Sequence, residues 1–172
     1  LSMEVKQNLY AIIHPITPFD PSEGTDIHFT WNGNQIHKIR CIIKENESGE
    51  TLYDVTENSM KSYYTLPPGS VLKGGGRYVV YITVFDVDGL ESHLQHTGTP
   101  FCCFTVPSFQ LSISEGDVIR ASSFLASVSY SQAEGELLDS YEISLYSYQG
   151  SLIRSSGSIY DTENISYLLF GL

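Results

Sequence analysis

Apolar and polar residues alternate along most of the first hundred positions, with the period of half-buried β-strands. Clusters of Gly, Pro, Asn and Asp interrupt the alternation and predict turns. Nothing before residue 106 has a convincing helical period. The pattern predicts strands over residues 8–13, 26–31, 36–44, 50–54, 60–66, 78–85 and 101–106. Seven strands in about 100 residues predict an immunoglobulin-like β-sandwich.

The long strand from Tyr78 follows an informative spacing. Leu72 comes six residues before Tyr78, across a Lys-Gly-Gly-Gly-Arg connection. We expect Leu72 and Tyr78 to form a corner that feeds the strand, with residues 74–76 as a flexible connection. The predicted core combines this corner with the apolar faces of three strands, and consists of Ile27, Phe29, Trp31, Ile39, Cys41, Ile43, Leu72, Tyr78, Val80, Ile82 and Val84.

The chain repeats this organisation after Pro107. When the two parts are overlaid, four positions coincide: Trp31 with Tyr130, Gly49 with Gly150, Leu52 with Leu152, and Leu72 with Leu172. The sequence therefore predicts a complete sandwich over residues 1–106 and a second, truncated module over residues 107–172, because the match stops where the second corner would begin. The predicted fold class is all-β, as tandem immunoglobulin-like sandwiches with the second incomplete.

Composition and charge narrow the functional classes. Twelve Tyr and eight Phe favour strands. A net charge of −11 argues against nucleic acid and against an anionic membrane surface. No stretch reaches the roughly 20 apolar residues of a membrane span, and no signal peptide pattern precedes the first strand. Three cysteines, Cys41, Cys102 and Cys103, are a poor disulfide framework and predict reduced thiols in a protein folded in a cytoplasm.

Candidate chemical sites are better explained as structure. The run Asp86 to Gly89 resembles the start of a calcium loop, but Leu90 stands where a ligand is needed. His93 and His96 lie in a predicted loop without the Glu of a zinc-protease motif. Residues 74–76 lack the Lys-Ser/Thr ending of a phosphate-binding loop. The acidic residues fall mostly in turns, which does not favour a paired-carboxylate hydrolase. We therefore expect no catalytic residue, metal or cofactor.

Tyrosines are the best candidates for a binding surface. Their rings could stack against a cell-wall sugar or a partner protein. The alternative is that they form cross-strand pairs on a sheet. The tyrosines predicted to be exposed are Tyr53, Tyr63, Tyr64, Tyr81, Tyr146 and Tyr148.

The first part resembles a fibronectin type III domain over about residues 8–106. The resemblance rests on Trp31, on the spacing from Leu72 to Tyr78, and on residues 84–92, Val-Phe-Asp-Val-Asp-Gly-Leu-Glu-Ser. It implies that Trp31 packs in the core and that the Leu–Tyr pair forms the corner.

The second part resembles modules in tail and baseplate proteins of phages and prophages of Gram-positive bacteria. The residues concerned are 128–141, Ser144-Leu145-Tyr146, Leu152-Ile153 and Tyr160-Asp161. This resemblance implies a non-enzymatic virion component, assembled in the bacterial cytoplasm, that spaces and docks other tail proteins and takes part in host recognition. Implied partners are other tail proteins and a host cell-wall carbohydrate, with a homo-oligomer in the assembled tail and no cofactor. The alternative is a fibronectin-like module of a secreted adhesin or of a cell-wall or polysaccharide-active enzyme.

Overall fold

A computed structural model describes residues 8–95 and 97–172. The chain divides into two compact units, one ending at Thr105 and the other covering Val106–Leu172. Every regular element in the described residues is a β-strand, which confirms the all-β prediction. Among these residues there is no helix with the length and apolar character needed to cross a membrane.

The first unit contains seven antiparallel strands in two sheets. They are β1 (Ala11–Ile13), β2 (Thr25–Trp31), β3 (Ile36–Glu45), β4 (Thr51–Asn58), β5 (Tyr63–Leu66), β6 (Arg77–Asp86) and β7 (Thr99–Cys102). One sheet has the order β1-β2-β5 and the other the order β4-β3-β6-β7. The fourth strand thus joins the sheet of the third, and this is the strand order of a fibronectin type III-like sandwich.

The core lies between these two sheets. On one side of the core, inward side chains of the neighbouring strands β3 and β6 lie beside each other in register, with Cys41 next to Ile82 and Ile43 next to Val80. All four of these side chains have no exposed surface. Trp31 is only partly buried: its ring lies 6.0 Å from that of Phe29. The Trp31 indole N–H donates to the carbonyl oxygen of Asn34 at 2.8 Å, so this residue closes the margin of the core.

Several predicted strands begin or end differently in the structure. The first begins at Ala11 rather than at residue 8, and the fourth continues to Asn58 rather than ending at residue 54. The fifth begins at Tyr63 rather than at residue 60 because β4 and β5 belong to different sheets, and residues 59–62 carry the chain across. The seventh covers Thr99–Cys102 rather than 101–106. The Cys103 N–H still donates to the carbonyl oxygen of Gly76, just before β6, whereas the Phe104 N–H donates to the carbonyl oxygen of Phe19 at 3.1 Å.

The second unit repeats five of these strands. They are β8 (Ser108–Leu111), β9 (Ser123–Ser131), β10 (Ser144–Tyr146), β11 (Leu152–Ser155) and β12 (Ser166–Phe170). The sheet β8-β9-β12 has the order of β1-β2-β5, and the pair β10-β11 corresponds to β3-β4. Ala126 on β9 and Leu169 on β12 are its most buried apolar residues in the described chain, at 5% and 6% exposure.

Candidate functional site

The corner predicted from the Leu72–Tyr78 spacing lies at the start of β6. Both side chains are buried. The Tyr78 hydroxyl accepts a hydrogen bond from the Lys73 backbone N–H at 2.9 Å, and the Tyr78 ring lies 5.6 Å from the Phe101 ring. A Cβ at Gly76 would collide with the Tyr78 ring. Gly76 therefore allows the Tyr78 ring to pack directly against the backbone. The sequence had predicted only a flexible connection at this position.

Tyr64 is a correction to the predicted tyrosine surface, because it belongs to the core. It is 2% exposed, and its hydroxyl lies 2.7 Å from the hydroxyl of Tyr53. Burial, and then the bond to Tyr53, raise the pKa of Tyr64. Tyr53 on β4 and Tyr64 on β5 thus connect the two sheets of the first unit, so the hydroxyl groups of both are committed to structure.

The remaining tyrosines do not share one surface. Tyr63 contacts His28 and lies under the amine of Lys61, on the outer side of the sheet β1-β2-β5. Tyr81 lies on the outer side of the other sheet. Tyr146 and Tyr148 belong to the second unit and are 58% and 103% exposed. The structure therefore divides the predicted surface among separate places.

The outer side of the sheet β4-β3-β6-β7 forms a surface that the sequence analysis missed. Lys38, Arg40, Ile42 and Lys44 alternate along β3, and Tyr81 and Phe85 lie beside them on β6. The Lys38 amine lies 4.9 Å from the centre of the Phe85 ring, and the Lys44 amine lies 5.5 Å from that of Tyr81. We call these six residues the basic–aromatic face. The signal available in the sequence was the placement of three basic residues on one side of a predicted strand.

The three basic side chains of this face differ in whether they have an acidic partner. Arg40 forms two hydrogen bonds with the carboxylate of Asp54, at 2.7 and 2.8 Å. The bonds to Arg40 lower the pKa of Asp54, and those to Asp54 raise the pKa of Arg40. Lys38 and Lys44 instead rest on aromatic rings, which leaves their charges available to an acidic group from outside. The face thus offers cations and flat apolar area together, in a chain whose net charge is −11.

The other candidate sites have structural roles. The Asp86 carboxylate accepts hydrogen bonds from the N–H groups of Asp88 and Leu90, at 3.0 and 2.8 Å, and so holds a turn. In the described chain, no group of three or more His, Cys, Asp or Glu side chains could hold a metal ion. His96, the second histidine of its pair, lies outside the described residues.

The three cysteines are free thiols. Cys41 and Cys103 are buried, and burial raises the pKa of both, to about 12 for Cys103. A thiol that remains protonated at neutral pH is a poor nucleophile. Cys41 therefore acts as a small apolar side chain in the sandwich core.

Comparison with known proteins assigns no family to this chain. No protein-family model matches the chain, and no curated protein matches it significantly. A solved structure of fibronectin(III)-like modules of Clostridium thermocellum CbhA is similar at 14% sequence identity and a TM-score of 0.40, over 94% of this chain and 79% of that one. A similarity of this size supports no statement about binding, and the strand order of the first unit carries the fold assignment.

Proposed function

We propose that this chain is a non-enzymatic structural component of a phage tail or baseplate. In this role its β-sandwich units set spacing and orientation, and a sheet face docks a neighbouring virion protein. The observation that supports docking is the basic–aromatic face, which places Lys38 and Lys44 over aromatic rings on the half-exposed outer side of a sheet. The tail assignment rests on the resemblance of residues 128–141 and the segments that follow them.

The geometry of the face indicates what it would bind. Its cations lie along β3 and its rings lie beside them on β6, so a partner with acidic side chains next to apolar ones would be complementary. A neighbouring tail protein with such a surface would bind more weakly as the salt concentration rises, since charges at an exposed interface are screened.

Immunogold electron microscopy tests the proposal, with antibody raised to this chain and applied to phage particles and to cells of the source strain. Gold at the tail tip or baseplate is expected. Unlabelled particles together with labelled cell walls would refute the tail assignment and favour the module of a secreted adhesin or enzyme.

A charge-reversed variant tests the docking face. Particles assembled with Lys38→Glu and Lys44→Glu together should carry less of this protein per tail. Lys61→Glu is the matched control, because Lys61 also lies over a ring, that of Tyr63 at 5.0 Å, but outside the basic–aromatic face. Equal incorporation of both variants and the unaltered chain would refute the role of this face.

A further inference from the structure

Two histidines lie side by side on the outer side of the sheet β1-β2-β5. The last paired residues of β1 and β2 at this end are Ile13 and Phe29, which are both buried. The next pair is His14 and His28, and the His14 backbone N–H donates to the His28 carbonyl oxygen at 2.9 Å. Because side chains alternate along a strand, both histidines point outward, and both are exposed. Side chains at opposite positions of antiparallel strands have Cβ atoms about 4.5–5.5 Å apart.

The residues around this pair restrict its movement. His14 precedes Pro15, and a residue before proline is confined to extended backbone, which keeps the His14 side chain on the outer side of the sheet. Ile16 packs against the core and anchors the segment that follows. On the β5 side of His28, the Tyr63 ring lies 5.5 Å from the imidazole. The Tyr63 ring therefore limits how far the His28 ring can turn away from His14.

Both imidazoles line one recess of about 270 Å³. Its other polar residues are Thr17, Thr25 and Asp26. Asp26 lies two residues before His28, on the same face of β2, and its carboxylate accepts a hydrogen bond from the Thr65 hydroxyl at 2.7 Å. Among the residues that the structure describes, neither imidazole forms a hydrogen bond or an ion pair. The ring nitrogens are therefore available to a ligand that enters the recess.

Two neighbouring imidazoles are a ligand set for a transition-metal ion. Imidazole nitrogen suits Zn²⁺, Cu²⁺ and Ni²⁺. A tetrahedral Zn²⁺ binds nitrogen at about 2.0–2.1 Å, which places two nitrogen ligands about 3.3 Å apart. Rotation about the side-chain bonds of two opposite histidines can bring their nitrogens to this separation. No group of three or more possible ligands occurs in the described part of the chain, so water completes the coordination of an ion held by this pair.

We propose that His14 and His28 together bind one divalent transition-metal ion, such as Zn²⁺, in this recess. The Asp26 carboxylate contributes favourable charge without being a direct ligand. The bound ion connects β1 to β2, and so secures a three-residue strand at the edge of its sheet. The sequence analysis considered His93 and His96 instead, because only strand pairing brings His14 and His28 together. The site is separate from the basic–aromatic face and does not depend on the tail assignment.

Isothermal titration calorimetry of the full chain with Zn²⁺ tests the site. The unaltered chain should bind Zn²⁺ saturably. His14→Gln and His28→Gln should each weaken binding by at least about tenfold, because the two-ligand chelate becomes a single contact. His93→Gln is the matched control and should keep the affinity, since His93 is also exposed and also lies beside a tyrosine ring, that of Tyr10 at 5.6 Å, but outside the recess. All three side chains are exposed, so these variants are expected to fold.

Cu²⁺ gives a direct count of the nitrogen ligands. Electron paramagnetic resonance of the chain with one equivalent of Cu²⁺ should show two imidazole nitrogens, and one in either single variant. Asp26→Asn keeps an oxygen acceptor for Thr65 but removes the charge, and should weaken Zn²⁺ binding by about two- to fivefold. Absent Zn²⁺ binding, or unchanged affinity in His14→Gln or in His28→Gln, would overturn the proposal. So would a single imidazole nitrogen on Cu²⁺ in the unaltered chain, or an equal loss of Zn²⁺ affinity in His93→Gln.

Discussion

The five strands that the two units have in common are buried to different extents. Ala11 and Ile13 on β1 of the first unit are 5% and 8% exposed. Phe109 and Leu111, at the corresponding positions on β8 of the second unit, are 57% and 54% exposed. In the first unit, Val80, Ile82 and Val84 of β6 point between the two sheets and have no exposed surface. These side chains therefore supply a large part of the core of that unit.

The hairpins, in contrast, are similar in both units, although the loop of the first is one residue longer. The turn after β3 contains Gly49 with φ of 71°, and the turn after β10 contains Gly150 with φ of 85°. The N–H of Glu45 bonds the carbonyl of Glu50 at 2.9 Å, and the N–H of Ser147 bonds that of Ser151 at 2.8 Å. These hairpins therefore form from their own turns and backbone pairing, independently of how well the core is closed.

The largest expected difference between the units is the cost of removing a core ring. Phe29→Ala should destabilise the first unit by about 3–5 kcal/mol, because it leaves a cavity in a closed core. Phe109→Ala in the second unit should cost less than about 1 kcal/mol, since more than half of its surface is already in water. Trp31 is the single tryptophan of the chain, so its fluorescence in a denaturant titration follows the first unit.

Phe109→Ala serves as the control in that experiment, and amide exchange along β9 follows its effect on the second unit. Equal destabilisation by the two substitutions would mean that the second unit has a closed core in solution.

A smaller effect, equal in both units, is expected at the two turn glycines. Gly49→Ala and Gly150→Ala should each cost roughly 1–2 kcal/mol, because a Cβ is disfavoured at positive φ. No atom lies within 4 Å of the added Cβ at either position, so backbone strain alone acts. Amide exchange of each hairpin measures the cost. A clear inequality would show that the surroundings, and not the turn, determine the geometry of one hairpin.

The sequence predicted the features that depend on alternation and spacing. The period of two in β2, β3 and β6 placed Phe29, Ile39 and Ile82 on inward faces, and all three are fully buried. The Leu72–Tyr78 spacing placed the corner at the start of β6. Such features are local, because the direction of each side chain follows from its position in the strand.

Features that depend on pairing between strands were missed. Simple alternation along the third predicted strand groups His37 with Ile39 on one face, but a register shift between Ile36 and Lys38 breaks the pattern, and Ile36 is the buried residue. Tyr64 looked exposed because its inward partner, Tyr53, lies on a strand of the other sheet. The basic–aromatic face likewise requires β3 and β6 to lie side by side, which the sequence of either strand does not reveal.

The smallest expected effect concerns one tyrosine hydroxyl in each unit. The Tyr78 hydroxyl accepts a local bond from Lys73, whereas the Tyr141 hydroxyl bonds the backbone of Ser166 on β12, with the Ser166 N–H 3.2 Å away. Tyr78→Phe and Tyr141→Phe should each cost about 0.5–1.5 kcal/mol, one hydrogen bond. Tyr148→Phe is the control, because Tyr148 is fully exposed.

The two losses should differ in where they are detected. Tyr78→Phe should lower the denaturation midpoint seen by Trp31 fluorescence and speed amide exchange at Lys73. Tyr141→Phe should leave that midpoint unchanged, because the bond it removes lies within the second unit. It should speed amide exchange at Ser166, whose N–H loses its bond to the Tyr141 hydroxyl, 25 residues away in the sequence. An unchanged midpoint for Tyr78→Phe would contradict the corner assignment. Faster exchange along the whole of β12 with Tyr141→Phe would mean that, in a unit with an open core, a single long-range hydroxyl bond holds a strand that packing secures in the first unit.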